Sequence, residues 1–144
     1  MQRFKEIFEG NNSAFGQLIL SGKKDTRGKE KGRPWIRREK ISDELWTDHL
    51  EGKSDSNGRL LPALGVIPIN EENKCRWGCI DVDIYNLDHK EILQKVKKLN
   101  LPLITFRSKS GGAHLFLFAE TFIPAFLMQE KLKEMAKALG YEDS

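Results

Sequence analysis

The sequence is poor in cysteine, which limits the kinds of site that it can build. Only Cys75 and Cys79 occur among the 144 residues. With no further cysteine and no nearby histidine, the pair cannot supply the four ligands of a structural zinc site. A disulfide is not expected in a chain without a secretory signal. We therefore interpret both cysteines as core residues of a strand.

Long apolar segments are also lacking. No stretch approaches the ~20 apolar residues that a transmembrane helix needs, and the start, MQRFKEIFEG, lacks the apolar run of a signal peptide. With 39% apolar and 31% charged residues, the composition is that of a soluble globular domain. We expect a cytoplasmic location, in a bacterium or, for a viral gene, in the host cell.

Positive charge is concentrated in one segment, although the net formal charge is only +3. Residues 21–40 hold nine Lys or Arg against three Asp or Glu, which suits a polyanionic partner. We predict a mobile, Gly-rich loop at 21–34 and expect the basic segment 23–40 to track a nucleic-acid backbone; a solvated loop that binds nothing is the alternative. The candidate nucleic-acid-binding residues are Lys23, Lys24, Arg27, Arg37 and Arg38. Trp35 can stack on a base, although a Trp after Pro is more often a packing residue.

Apolar periodicity and turn residues predict an α+β fold. Helices are expected at 2–9, 42–52, 88–99 and 124–139, and strands at 14–20, 63–69, 75–85, 102–107 and 113–119. The predicted inward residues of the last two helices are Ile92, Leu93, Val96, Leu99, Leu127, Leu132, Met135 and Leu139. In the second half, the element order favours a mostly antiparallel sheet with helices on one face. We expect a single domain over 1–144, with a helix, strand and basic loop at 1–60 and a metal- and nucleotide-binding core at 61–144.

The sharpest motif is Asp81-Val82-Asp83 in the strand predicted at 75–85. Residues two apart in a strand share a face, so Asp81 and Asp83 would lie about 7 Å apart on the open side. Ile80, Val82 and Ile84 would then face the helices. The two carboxylates repel each other, and a hard cation such as Mg²⁺ or Mn²⁺ relieves the repulsion. The alternative is a solvated strand end, because Asp-x-Asp often occurs by chance.

A second motif, RSKSGGAH at 107–114, predicts a tight turn between two strands. Its backbone amides, hydroxyls and cations are suited to phosphate oxygens. The candidate nucleotide-binding residues are Arg107, Ser108, Lys109, Ser110, Gly111, Gly112 and His114. His114 would begin the next strand on the face of Phe116 and Phe118. A plain hairpin with a buried, hydrogen-bonded histidine is the alternative.

Together, CIDVD (79–83) and SKSGGAH (108–114) resemble two motifs of the archaeo-eukaryotic primase superfamily. These are a hydrophobic strand that ends in Asp-x-Asp and a Ser/Gly turn followed by His. The upstream segments ISDELWTDHLEGK and LGVIPINEENKCRWGCIDVD are similar to the primase domain of TOTE conflict systems and of related viral or plasmid primase-polymerases. The resemblance covers most of 42–120 and, more loosely, the whole chain. It implies an RRM-like catalytic core.

The resemblance also implies a function, that of a DNA primase or polymerase-type nucleotidyltransferase in DNA replication. The catalytic residues would be Asp81, Asp83 and His114, with Asp81 and Asp83 binding Mg or Mn and His114 contacting the triphosphate. Two-metal phosphoryl transfer would join a nucleoside triphosphate to a primer on a template. The expected partners are nucleoside triphosphates, a DNA template and primer, and a helicase domain or protein, without a membrane.

Two features depart from the family pattern. GKKDTRGKEKGRPW, at 22–35, stands where relatives often carry a cysteine-rich insertion. A third motif, usually with a further metal-binding carboxylate, is expected downstream of the histidine. Glu120, Glu142 and Asp143 are candidates for it, but none lies in a predicted strand. We therefore expect the chain to be the front part of a larger catalytic module, or a domain cut from one, and not to hold a complete polymerase site by itself.

Two other functions remain open from the sequence. In a non-catalytic module for single-stranded nucleic acid, the same sheet face would bind a strand without a metal, and aromatic residues such as Phe116 and Phe118 would lie on it. A metal-dependent nuclease would typically have Glu-x-Lys on the next strand. Residues 102–107 contain no carboxylate, which makes the nuclease the weaker hypothesis.

Overall fold

The computed structural model describes residues 1–24, 26, 30–58, 60–84, 86–108 and 111–142, with the backbone alone at Leu20, Lys24 and Glu30. The elements in chain order are α1 (Gln2–Ile7), β1 (Phe15–Lys24), β2 (Glu30–Arg37), α2 (Asp43–Glu51), β3 (Ala63–Val66), β4 (Lys74–Val82), α3 (His89–Lys98), β5 (Leu103–Arg107), β6 (Ala113–Pro124) and α4 (Ala125–Leu139). They form two compact units, Met1–Glu72 and Asn73–Ser144. Each unit contains an antiparallel three-stranded sheet and helices, so the predicted α+β fold is confirmed.

The sheet of the first unit has the strand order β2-β1-β3. Strand β3, which was grouped by sequence with the metal- and nucleotide-binding core, pairs here with β1. The helix predicted at 42–52 is confirmed as α2. The Ser42 hydroxyl accepts a hydrogen bond from the Leu45 amide at 3.2 Å, and Gly52 ends the helix with a φ of 62°. Ser at the N-cap and Gly just after the last turn satisfy backbone groups that a helix leaves unpaired.

The prediction of a mobile loop at 21–34 is wrong for the described residues. Strand β1 continues to Lys24, and β2 runs from Glu30 to Arg37. Polar and Gly-rich composition suggested a loop, but cross-strand pairing supplies the backbone hydrogen bonds instead. Pro34 lies within β2 opposite Leu18. Since β2 is at the edge of the sheet, a residue without an amide hydrogen is tolerated there.

The sheet of the second unit has the order β4-β6-β5, with β6 in the centre. One face packs against α3 and α4. The core between them is formed by the buried residues Ile80, Val82, Ile92, Val96, Leu103, Ala113, Leu115, Ala136 and Leu139. The cross-strand pairs Ile80↔Leu115 and Val82↔Ala113 show that alternate residues of β4 and β6 supply this face. The residues between them point to the other face of the sheet.

Some predicted inward positions are wrong. Strand β4 ends at Val82, and Ile84 beyond it is 45% exposed because no further strand pairing holds it over the helices. In α3, Ile92 and Val96 are buried, but Leu93 and Leu99 are each 44% exposed. In α4, Leu139 is buried as predicted, whereas Leu127 is exposed and Met128 takes the inward position. The predicted helical period is correct in both helices. However, only some of the predicted apolar residues face the core, because the buried stripe of each helix is narrower than that set.

Asp88 begins α3 as predicted, because its carboxylate accepts hydrogen bonds from the amides of Lys90 and Glu91 at 2.9 and 3.3 Å. Cys75 is buried, Cys79 is half-buried, and both are free thiols. Across the part of the chain that the structure describes, no helix is long and apolar enough to cross a bilayer.

Candidate active site

Three side chains form a row across the second sheet. His114 of β6 lies directly opposite Asp81 of β4 on one side and Phe106 of β5 on the other. Residues directly opposite each other in antiparallel strands share a face. His114 Nε2 is 3.4 Å from Asp81 Oδ1, a distance at which the two form an ion pair when the imidazole is protonated. The two side chains are 43% and 70% exposed, so both can meet a ligand from solvent.

Aromatic rings continue this face away from Asp81. The Phe116 centroid lies 5.6 Å from that of Phe106 and 6.2 Å from that of His114. Trp77 and Phe118 lie 6.0 and 5.9 Å from the same ring. The prediction that His114, Phe116 and Phe118 share a face is confirmed. Phe106 was missed, because only the pairing register, which no single strand reveals, brings it to this face. Trp77 was also missed, although its alternation with Asp81 along β4 was the available signal.

Asp83 is the first residue after β4, so strand alternation places Asp81 but not Asp83. Both carboxylates are exposed. Among the described residues, no three His, Cys, Asp or Glu side chains come together as a metal site. Two carboxylates still fit Mg²⁺, which commonly takes one or two of them and completes its shell with water and substrate phosphates. The donor set therefore suits a metal that arrives with a phosphorylated substrate.

The turn between β5 and β6 is held against the end of β4. A Cβ atom at Gly112 would lie 2.2 Å from the Val82 carbonyl oxygen, so only glycine fits this position. Gly111 has a φ of +94°, a conformation that other residues rarely adopt. Gly112 is thus required because the end of β4 lies close to it, and Gly111 because of its backbone conformation. Together they bring the turn beside the segment that carries Asp81 and Asp83.

His89, which the sequence analysis did not identify, ties this turn to α3. Its Nε2 lies 3.0 Å from the Gly112 carbonyl oxygen, and the contact is partly buried. The same carbonyl accepts the Ser108 amide at 2.9 Å. In the tautomer that carries its hydrogen on Nε2, His89 therefore donates a second hydrogen bond to the Gly112 carbonyl oxygen. Its position directly after the Asp88 cap was the available signal, since helix N-termini often border phosphate sites.

Two amides of the turn are already engaged. Ser108 N donates to Gly112 O, and Gly111 N donates to Ser108 O at 3.1 Å. These two groups do not point to a ligand, although turn amides were expected to hold phosphate. Arg107 lies opposite Ala113 and so on the face of the buried Leu103, away from the face of His114. Lys109 and Ser110 lie outside the described residues.

Cys79 lies on the same face of the sheet as Asp81, but its thiol is not suited to act as a nucleophile or a metal ligand. Burial, and secondarily the Asp81 carboxylate, raise the pKa of its thiol to about 11. The thiol therefore stays protonated near neutral pH, where a thiolate would be needed for a nucleophile or a metal ligand.

The remaining predicted residues are spread over both units. Lys23, Arg37 and Arg38 are exposed on or next to the β1–β2 hairpin of the first unit. The side chain of Lys24, together with Arg27, lies outside the description. Glu120 is exposed and, contrary to expectation, lies within strand β6. Glu142 is exposed beyond α4, and Asp143 is not described.

The comparison with protein families agrees with this fold. A family model described as the Archaeo-Eukaryotic Primase domain of the TOTE conflict system matches residues 11–142. The match defines a primase-type domain of a nucleotidyltransferase-like class. Within this class, the chain belongs to the archaeo-eukaryotic primase domain family of TOTE conflict systems. A search of curated proteins gave no match.

Proposed function

We propose that this domain is a template-dependent nucleotidyltransferase of the primase or primase-polymerase type. The observation that carries the proposal is the row of Asp81 and His114 at the end of the sheet where the glycine turn meets β4. An accessible carboxylate, an imidazole donor and a close backbone turn are suited to holding a metal-bound triphosphate. The family match supports the same class of reaction.

Asp81 and Asp83 hold Mg or Mn in this proposal. When bound, such a metal pair activates the primer 3′-hydroxyl and neutralises charge on the leaving pyrophosphate. His114, which Asp81 orients from 3.4 Å, donates from its ring to a triphosphate oxygen. Phe106, 49% exposed beside His114, offers a flat apolar surface to the base.

The phosphate side of the site is formed by the turn. Ser108 supplies its hydroxyl, Gly111 and Gly112 supply close approach, and Lys109 and Ser110 complete the segment. Arg107, at the end of β5, lies on the opposite face of the sheet from His114 and therefore contributes through long-range charge. The template and primer DNA are bound in part by Lys23, Lys24, Arg27, Arg37 and Arg38, and a helicase is the expected associated activity.

A module that binds single-stranded nucleic acid without catalysis is the second candidate. It is favoured by the aromatic residues Trp77, Phe106, Phe116 and Phe118 on the site face. Asp81 on the same face repels phosphate unless a cation is present. Metal dependence therefore separates the two functions.

Primer extension tests the proposal. The full chain is incubated with a primed template, manganese and either ribo- or deoxyribonucleoside triphosphates, and primer length is measured. Extension by the wild type should be abolished in the double variant Asp81→Asn, Asp83→Asn. The control is the double variant Glu130→Gln, Glu134→Gln, which also removes two negative charges, but from exposed positions of α4. It should leave extension unchanged.

Each contrary outcome is distinct. Extension that survives the Asp81→Asn, Asp83→Asn double variant would contradict the assigned metal ligands. Binding of single-stranded DNA that needs no metal and is lost on Phe106→Ala, without extension under any condition, would support the non-catalytic module instead. Circular dichroism confirms that each variant is folded.

A further inference from the structure

The β1–β2 hairpin of the first unit carries a row of three side chains, of which the proposed function uses only Arg37, as a cation that contacts DNA. Arg33, Trp35 and Arg37 alternate along β2 and so share one face of the strand. Their partners on β1 are Ile19, Gln17 and Phe15, respectively. The row therefore runs along an edge strand, from the middle of the hairpin to its base.

This row is open to solvent. Every residue from 31 to 40 is exposed. Trp35 is 44% exposed, whereas Trp46 of the same unit, which packs in its core, is 7% exposed. A large aromatic side chain on an exposed edge strand adds little to packing. The exposed part of its ring is accessible to a ligand.

The row keeps its positive charge available. The Arg33 guanidinium lies 5.2 Å from the Trp35 ring centroid, and Arg37 Nε donates to Gln17 Oε1 at 3.0 Å. Both arginines are thus held by uncharged partners, and neither forms an ion pair with a described residue. Positions 15–23 and 31–38 contain no Asp or Glu. They carry five cations: Lys23, Lys31, Arg33, Arg37 and Arg38.

We infer that this face binds single-stranded nucleic acid, with a base stacked on Trp35 and flanking phosphates on Arg33 and Arg37. The two arginines are four strand residues apart, roughly 13 Å at ~3.3 Å per residue. Trp35 lies midway, so a stacked base has a cation on either side. Only an unpaired base exposes the ring face that such stacking needs. The site needs no metal and is independent of the chemistry proposed for Asp81 and Asp83.

Fluorescence anisotropy of labelled oligonucleotides with the full chain, in the presence of chelator, tests the inference. Oligothymidylate and oligouridylate distinguish DNA from RNA, and a duplex of the same length reports on strandedness. Trp35→Ala should weaken single-strand binding about 5- to 150-fold, and Trp35→Phe should retain most of it. Ile36→Ala is the matched control, because Ile36 is 59% exposed on the opposite face of β2.

The arginines have a separate signature. The double variant Arg33→Ala, Arg37→Ala should reduce the slope of log affinity against log salt by about 1.4, since each single-strand phosphate contact contributes ~0.7. Trp35→Ala should leave that slope unchanged, because stacking releases no counterions. This difference separates base stacking from general attraction to a polyanion.

Several results would overturn the inference. One is absence of single-strand binding by the wild type at low salt; another is equal weakening by Trp35→Ala and Ile36→Ala. Equal affinity for duplex, or for an acidic polypeptide, with no effect of Trp35→Ala would leave only a nonspecific basic surface. Loss of binding on Phe106→Ala but not on Trp35→Ala would assign the strand to the second sheet. These results test the hairpin face, whereas loss of metal-dependent primer extension in the Asp81→Asn, Asp83→Asn variant tests the proposed function separately.

Discussion

The two sheets have the same number of strands but bury very different numbers of residues. Among the described residues, Phe15 and Trp46 are the buried apolar side chains of the first unit, whereas eleven such residues lie in the second. In the second unit a packed core fixes the backbone on which Asp81 and His114 stand. In the first, the described apolar and basic side chains of the hairpin are exposed, with the exception of Phe15. We therefore propose catalysis, which needs side chains in fixed positions, on the second sheet. Charge-based contact with nucleic acid is proposed on the first sheet.

The largest expected effect is on the core of the second unit. Leu115→Ala removes a fully buried side chain from the central strand β6 and should lower the free energy of unfolding by about 2–5 kcal/mol. Leu18→Ala in the first sheet, where Leu18 is 39% exposed, should cost about 1 kcal/mol or less. Chemical denaturation followed by circular dichroism measures both. Equal costs would contradict the contrast between the sheets.

A smaller effect is expected from the glycine turn. In Gly112→Ala the added Cβ overlaps the Val82 carbonyl, which no side-chain rotation relieves, and the cost should be roughly 1–3 kcal/mol. Gly65→Ala in β3 is the matched change, because its Cβ meets the Gly16 carbonyl oxygen at an ordinary 3.5 Å. Thermal unfolding and nucleotide titration are the measurements. Tolerance of Gly112→Ala in both would show that the turn does not pack on β4 as described.

His89 tests whether the turn needs its second hydrogen bond. His89→Ala should lose about 1 kcal/mol of stability and weaken nucleotide binding, and His89→Gln, which keeps a donor, should recover part of both. His49→Ala removes a comparable bond in the first unit, where His49 Nδ1 accepts the Leu64 amide at 3.2 Å. That control should leave nucleotide affinity unchanged. If both alanine variants reduced nucleotide affinity equally, His89 would have no specific role in the turn.

The smallest effect concerns the thiols, which occur only in the second unit. Because burial raises the Cys79 pKa from its ordinary 9.0 to about 11, iodoacetamide should modify the folded chain slowly at pH 8 and the denatured chain quickly. The raised pKa contributes stability below pH 9 that is lost as pH rises from 9 towards about 11. Cys79→Ala should reduce this alkaline loss. Fast labelling of the native protein would contradict the described burial.

The sequence predicted the second unit better than the first, for physical reasons. In β4, the alternation around Ile80 and Val82 reports burial directly, and the Asp88 cap and the glycine pair are local signals. The end of pairing at Val82 was not predictable, because it depends on β6, and Ile84 was therefore misplaced. Phe106 and His89 reach the site through pairing and packing across distant segments, which no local pattern encodes.

In the first unit, composition misled the prediction. The segment at 21–34 has the Gly, Lys and Arg content of a loop, yet β1 and β2 pair across it. Exposed strands on a thin sheet have no apolar alternation to reveal them, since neither face needs to be apolar. The alternation of Arg33, Trp35 and Arg37 was the only remaining signal for this face in the sequence. It shows that the three side chains share a face only when the segment is already known to be a strand.

The most direct test of the proposed site is calorimetric titration of the full chain with a nucleoside triphosphate, first with manganese and then with chelator. The proposed site requires binding in manganese that is lost with chelator and in the Asp81→Asn, Asp83→Asn variant, while the Glu130→Gln, Glu134→Gln variant binds as the wild type does. Nucleotide binding that persists unchanged in the Asp81→Asn, Asp83→Asn variant, in a folded sample, would contradict it.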